Sequence, residues 1–245
     1  MSSREKTRRK GAVTDPIETV NRKSDEAFIE HHLNSSGSPW TTTWTHPKTN
    51  ANYSLNLMGA GSMSKADLQA CFDLVEETSR PDYEASTMGW KPASKMAEMK
   101  SPELRYILVK SPEGLIHGFT SLMPTYEEGE PVVYCYEIHL KPELQGSGLG
   151  RLLMSFLETV AANTPPIGKV MLTCYLSNER ALAFYKTSGF VVDPISPVAR
   201  KLRFGREFVP DYVIMSKKVD GRSNRGGEKD EPTISQSEAP SEDID

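Results

Sequence analysis

The chain has 245 residues, 37% hydrophobic and 25% charged, with a net charge of -4 at neutral pH; that is enough for one sizeable core or two small ones. No apolar run reaches membrane-spanning length and no apolar segment follows the N-terminal charges, so neither membrane insertion nor secretion is expected. Three cysteines at scattered spacings, Cys71, Cys135 and Cys174, read as reduced thiols of a cytosolic or nuclear protein, not as a disulfide framework or a zinc site, and the acidic balance favours a basic partner over nucleic acid.

The chain opens with Arg4, Lys6, Arg8, Arg9 and Lys10 against Glu5. Residues 1–25 lack the apolar surface to offset ordering entropy and are expected to be a disordered basic tail, with a nuclear-localisation signal or an anchor for an acidic surface as the alternative reading. Ser64-Lys65-Ala66-Asp67 resembles a capping box. It opens a helix that carries Leu68, Cys71, Phe72 and Val75 at helical spacing, and Pro81 is expected to end it. A short helix is predicted over Ser94–Met99. Strands follow at Leu104–Lys110, Leu115–Met123 and Val132–Leu140. The turns between them hold Pro112-Glu113-Gly114 and Gly129-Glu130-Pro131, so the three should form an antiparallel meander.

The pattern then changes. A Gly-rich loop from Gln145 to Gly150 opens an amphipathic helix with Leu152, Leu153, Phe156, Leu157 and Val160 inward. A strand over Val170–Leu176 and a helix over Asn178–Thr187 come next. Gly189 closes that helix, and strands at Phe190–Val192 and Tyr212–Ser216 end the folded part. From Asp220 onward Gly, Ser, Asp and Glu show no apolar periodicity, which predicts a disordered acidic tail over 220–245. No internal repeat is present. Residues 26–219 read as one α+β domain with a mixed sheet flanked by helices.

Gln145-Gly146-Ser147-Gly148-Leu149-Gly150 lies between a strand and a helix. Glycines let backbone N–H groups converge, and the helix N-terminus adds a positive dipole end, so the segment suits a pyrophosphate. The preceding strands are antiparallel with no βαβ unit before the loop, which argues against a dinucleotide fingerprint, and no Gly-Lys-Ser/Thr closes a P-loop.

Gln145-x-x-Gly148-x-Gly150 resembles the Q/R-x-x-G-x-G/A signature of the GNAT acetyltransferases. Asn178-Glu179-Arg180-Ala181 with Phe184-Tyr185-Lys186 and Gly189-Phe190 resembles a second hallmark of that family. The resemblance implies the acyl-CoA N-acyltransferase fold and acetyl-CoA as cosubstrate, with no metal. It puts Gln145, Gly146, Ser147, Gly148, Leu149 and Gly150 at the pyrophosphate. Ile138, His139 and Leu140 of the preceding strand, with Asn178 and Tyr185, join the cofactor-binding set. The run Val133-Tyr134-Cys135-Tyr136-Glu137-Ile138-His139-Leu140 is further similar to the NatD-type N-alpha-acetyltransferases. So are Asp82-Tyr83-Glu84, Gly89-Trp90-Lys91, Lys169 to Thr173 and Asp211-Tyr212. Members of that group acetylate the N-terminal serine of histones four and two-A, which begin Ser-Gly-Arg-Gly. The resemblance thus implies histone N-terminal tails as partners, a nuclear and cytoplasmic location, and a monomer with no nucleic-acid or membrane contact. This chain departs from the group at Thr125, where an acidic residue of the peptide site is expected, and in a lengthened, basic loop over Ser196–Phe208; Glu127 keeps its place.

The chemistry also follows from the residues. An amine attacks a thioester only as the free base. An α-amino group near pKa 8 needs a modest base, and a lysine near 10.4 needs more help. Glu137, set among Tyr, Cys, Tyr and Ile, is the candidate base, acting through a water, with Tyr136 and Tyr185 as further catalytic candidates. Strict alternation puts Tyr136 and Glu137 on opposite faces, so both reach one substrate only if the strand carries a bulge. That bulge would also free an N–H for a developing oxyanion. Tyr83, Trp90, Tyr134, Tyr136 and Tyr212 are the candidate substrate-binding aromatics. Glu127, with Glu128 and Glu130 nearby, is the candidate partner of a substrate arginine. His139 reads as structural in its side chain, and Cys135 lacks a partner base. A lysine or small-molecule amine acetyltransferase on the same fold, and a non-catalytic CoA-binding module, are the competing readings.

Overall fold

The computed structural model describes residues 14–201, 203 and 207–219; the expected acidic tail over 220–245 and the first thirteen residues lie outside them. The helices are α1 (Pro16–Asn21), α2 (Asp25–Phe28, running on as a π-helical turn over Ile29–Leu33), α3 (Lys65–Ala85), α4 (Pro92–Met99), α5 (Leu149–Ala162) and α6 (Glu179–Thr187). The strands are β1 (Thr43–Thr45), β2 (Asn52–Gly59), β3 (Arg105–Lys110), β4 (Ile116–Glu127), β5 (Glu130–Leu140), β6 (Lys169–Tyr175), β7 (Val191–Val192), β8 (Arg200–Lys201), β9 (Glu207–Phe208) and β10 (Tyr212–Lys218). Among the described residues eight strands form one sheet in the order β1-β2-β3-β4-β5-β6-β10-β7. All its pairings are antiparallel except β5 with β6. The mixed sheet and the β3–β4–β5 meander are as the sequence predicts. β8 and β9 pair as a small separate hairpin within the basic loop.

Both faces of the sheet are covered, so the central strands are apolar on both sides and alternation sorts their side chains between two cores. Along β3, Ile107 and Val109 join the core under α1, α2 and α5, while Tyr106 and Leu108 join the core under α3 and α4. Leu153, Phe156, Leu157 and Val160 of α5 are fully buried in the first core. Phe72, Val75 and Met99 belong to the second.

Two expectations are corrected. The tail expected over 1–25 gives way to helix by Pro16. Asp15 Oδ1 accepts from the N–H of Ile17 at 2.8 Å, Pro16 occupies the first turn, and Ile17 and Val20 are buried. These two apolar residues are too few to show in composition. Pro81 does not end α3, which continues to Ala85. Its missing N–H removes one helical bond. The last turn is retained because Tyr83 packs on Trp90 and Tyr175 at centroid distances of 5.3 and 5.1 Å, and Asp82 accepts from Ser177 and Asn178. β1 and β2 were not anticipated.

The N-terminal helices are held by Arg105, whose side chain is almost wholly buried. Its Nη2 donates to the carbonyls of Asn21 and Lys23, and its guanidinium lies 4.3 Å from the centre of the Phe28 ring. Asn21 Nδ2 donates to Pro124 O at 2.9 Å, and the Asp25 carboxylate accepts from Gly59 N. Replacing Arg105 by Met removes the charge-assisted bonds and strands two carbonyls, so Arg105→Met should lower unfolding free energy by about 3 kcal/mol. Urea denaturation at neutral pH measures it; an unchanged midpoint would show that the N-terminal helices add nothing to the stability of the fold.

Candidate active site

The site is made where a ladder stops. β5 and β6 pair at Val133↔Val170, Tyr134↔Met171 and Cys135↔Leu172, and no further. β5 runs on to Leu140, and β6 runs on to Tyr175 while staying paired to β10 on its far side. The facing edges therefore part beyond Cys135 and Leu172. A cleft of about 530 Å³ opens between them, with the end of α3, the N-terminus of α5 and the face of α6 as its other walls.

β5 carries the bulge that the sequence argument requires. Ser121 of β4 faces Glu137 and the next residue, Leu122, faces Cys135, so Tyr136 has no partner across the ladder. Two consecutive residues thereby turn the same way. Cys135 and Ile138 belong to the α5 side, while Tyr136 packs against the α3 side and Glu137 reaches Lys95 of α4. Both line the cleft.

At the far end of β5 lies a cradle for an anion. Gly146 and Gly148 have φ of +70° and +90°, a region where side chains are strained, and a Cβ at either would meet nothing within 4 Å. Gly148 precedes α5 without a side-chain cap, which leaves helix N–H groups facing the cleft. Gln145 Nε2 ties the loop back to Leu140 O at 2.8 Å, and Arg151 and Arg180 add cations to the lining. Gly150 has a different reason: a Cβ there would stand 3.4 Å from Phe184, so it sets how closely α5 and α6 approach. Open glycines, an uncapped helix start, two guanidiniums and an unpaired strand edge together fit a ligand with a pyrophosphate and an amide-bearing arm.

Glu137 is nearly fully buried and engaged at both oxygens. Lys95 Nζ donates to Oε1 at 2.8 Å, and His139 Nε2 lies 2.5 Å from Oε2. Burial alone raises its carboxyl, but Lys95 and His139 outweigh burial and hold it at about 2. Burial opposes the charge on Lys95, which is nonetheless held well above its usual range by Glu137, with Tyr83 and Glu98 contributing. Tyr185 is buried against Phe184 and Phe190, and burial pushes its hydroxyl well above the usual range, so it stays protonated.

The remaining expected residues divide. Tyr83 and Tyr136 line the cleft together with Ile138, His139 and Leu140. Asn178 lines it too, but its amide is already used: Oδ1 accepts from Ala181 N and Nδ2 donates to Asp82 Oδ2. Ser147 turns its hydroxyl back to Leu144 O, and Leu149 is buried in the core. Trp90 stacks between Tyr83 and Phe72, with its Nε1 buried and unpartnered among the described residues. Tyr134 OH is 2.6 Å from Thr173 Oγ1, and Tyr212 pairs with Tyr175 at the end of β6. In the β4–β5 turn Glu130 is taken by Lys169 at 2.7 Å, whereas Glu127 has no ion pair among the described residues. Burial and the neighbouring Glu128 raise the Glu127 carboxyl.

Sequence reasoning missed Lys95, Thr78, Asp82 as a bridge to Ser177, Arg151 and Arg180. Lys95 and Thr78 look like ordinary helix-surface residues; only their register against Met99 and Val75 marks them as inward.

The Acetyltransferase (GNAT) family model matches residues 68–190. N-alpha-acetyltransferase 40 of Saccharomyces cerevisiae is 32% identical over 154 residues, 53% of this chain and 53% of that protein; the chain thus spans about half the length of that curated relative. Among solved structures, the ribosomal-protein-S18-alanine N-acetyltransferase of Escherichia coli is 17% identical, covering 71% of this chain and 99% of that one with a TM-score of 0.45. The PaiA N-acetyltransferase of Thermoplasma acidophilum, solved with coenzyme A, is 18% identical over 67% and 99% of the two chains, also with a TM-score of 0.45.

The depressed Glu137 carboxyl has a consequence for stability. Its folded value lies below the ordinary 4.5, so its contribution is complete above that pH and is lost as pH falls toward about 2. That depression is worth about 3 kcal/mol. Lys95→Met removes the larger cation and should move the acid-unfolding midpoint to higher pH, as read by circular dichroism against pH. An unmoved midpoint would mean that Lys95 is not what keeps Glu137 ionised.

Proposed function

The chain belongs to the GNAT acetyltransferase family, and from that premise we propose that it transfers an acetyl group from acetyl-CoA to the N-terminal α-amino group of histone tails beginning Ser-Gly-Arg-Gly. The observation that carries the acyl-transfer part is the cleft itself, with an anion cradle beyond the end of β5 and the bulged Tyr136–Glu137 pair where the β5–β6 ladder stops. In this reading Gly146, Gly148, Arg151 and the start of α5 hold the pyrophosphate, and the unpaired edge of β5 from Ile138 to Leu140 receives the amide-bearing arm. Acetyl-CoA supplies an activated thioester, a carbonyl whose leaving group is a sulfur.

The residues of the chain supply the rest. Glu137, at the end of the cleft, faces the incoming ammonium and draws its proton away. The bulge at Tyr136 offers a backbone N–H where negative charge grows on the carbonyl oxygen. Tyr185, kept protonated by burial, stands at the cleft as a hydrogen-bond donor for the departing sulfur. The likeness to N-alpha-acetyltransferase 40 and the Tyr83–Trp90 wall support an acceptor that enters end-on. Glu127, an acid with no ion pair among the described residues, supports a basic residue further along the peptide.

Two experiments test this reading. Gly148→Glu puts a carboxylate into the anion cradle, and calorimetry should find CoA binding abolished in the folded variant; unchanged affinity would sink the cofactor assignment. A Ser-Gly-Arg-Gly-Lys peptide should gain one acetyl group, placed by fragmentation on its first residue, and N-formylation should stop the reaction although the lysine stays free. Acetyl on the lysine of the formylated peptide at a comparable rate would instead support the ε-amine reading.

A further inference from the structure

The mechanism above does not use the side chain of His139, which is buried and lines the cleft, and the hydrogen bonds around it fix its protons. Thr78 Oγ1 lies 2.7 Å from the Leu74 carbonyl oxygen and 2.6 Å from His139 Nδ1. A hydroxyl has one hydrogen and a carbonyl only accepts, so Thr78 donates to Leu74 and accepts from Nδ1–H. On the other side of the ring, Nε2 is 2.5 Å from Glu137 Oε2. A carboxylate likewise only accepts, so a second proton lies between Nε2 and Oε2. The first proton is anchored on α3. The second sits between two residues that both line the cleft.

We infer that the proton acceptor for the substrate ammonium is this junction of Glu137 and His139, and not Glu137 alone; the inference rests on the acyl-transfer reading given above. At rest the junction holds one proton, and the active form is the one that has released it to solvent through the cleft. An N–H bond of the ammonium then breaks and its proton refills the junction. The freed lone pair forms the C–N bond at the acetyl carbonyl, and the C–S bond breaks with its electron pair on sulfur. The second proton that the nitrogen sheds as the amide forms ends on that sulfur as the thiol. The junction proton returns to solvent, which closes the cycle.

A carboxylate held at about 2 between two cations accepts poorly from an amine near 8. An imidazole on the same hydrogen-bond line gives the proton a more basic resting place, as in other paired catalytic groups. Facing the junction are Lys95 and Glu98 from α4, Tyr83 from α3, Tyr106 from β3, Tyr175 from β6 and Tyr185 from α6. Cys135 lies two residues back on β5. Burial keeps the four phenols and the thiol protonated, and Glu137 keeps Lys95 charged. His139 acts here through Glu137, as a positioning and proton-holding residue.

Steady-state kcat with the Ser-Gly-Arg-Gly-Lys peptide, followed from about pH 5 to 9, tests the inference. Wild type should show an acid-side inflection. His139→Gln should lose that inflection and fall about a hundredfold at neutral pH, with peptide KM within about twofold of wild type and a loss that shrinks toward the amine pKa. Thr78→Val, which keeps shape and removes the Nδ1 acceptor, should move the inflection with a smaller loss. Wild-type rate and inflection in His139→Gln, or a loss equal at every pH, would overturn the inference. Imidazole nitrogen NMR of the free protein decides it independently of any acceptor. His139 should carry Nδ1–H and share a second proton between Nε2 and Glu137, and Glu137→Gln should move the Nε2 resonance while leaving that of Nδ1 in place. A ring protonated only at Nε2, or an Nε2 resonance unmoved by Glu137→Gln, would overturn it. Failure of wild type to acetylate the peptide would count against the acceptor reading alone, since the NMR result stands by itself.

Discussion

The structure depends on the point where β5 and β6 stop pairing. Up to Cys135 and Leu172 they are parallel neighbours in the middle of a sheet covered on both faces. Beyond it, each strand keeps its outer partner and loses its inner one. Main-chain donors and acceptors in a protein interior need partners, so an open seam at the centre of a sheet persists only where solvent or a ligand can complete it. Every other part of the site is referred to that seam. α5 starts at its far end, α6 lies along one side, and α3 crosses above it.

The bulge and the buried charges are two parts of one arrangement. Without the extra residue in β5, strict alternation would project Glu137 toward the apolar α5 core. With it, the carboxylate meets Lys95 and His139 on the α3–α4 side. Burying an ionised carboxylate is costly unless each oxygen is satisfied. Here each is, and α4 is held against the sheet by the same contact that holds the acid. The placement of the buried carboxylate and that of a short helix therefore stand or fall together.

Much of this was legible in the residues. The meander was written in Pro112-Glu113-Gly114 and Gly129-Glu130-Pro131, because only a few residue types tolerate those turns. The open loop before α5 was written in glycines, two of which take positive φ. The need for a bulge followed from a period of two and the demand that neighbours act together. What was not legible depends on long-range contact. Arg105 reads as a strand cation, yet it organises a helix some eighty positions earlier in the chain. Pro81 reads as a stop, yet Tyr83 and Asp82 find partners beyond it that offset the lost bond. Lys95 and Thr78 carry no local mark of burial beyond their helical register with Met99 and Val75. Their role appears only when α3 and α4 are laid on β5.

The bond from Asp82 to Ser177 and Asn178 has a topological meaning. It joins the end of α3 to the turn after β6, and α3 also packs on β5, so covalent chain and hydrogen bonds together close a loop around the seam. The two strand edges that part at the seam are thereby fixed to each other through α3 although no ladder joins them there, so the width of the opening is set by side-chain bonds and not by the sheet.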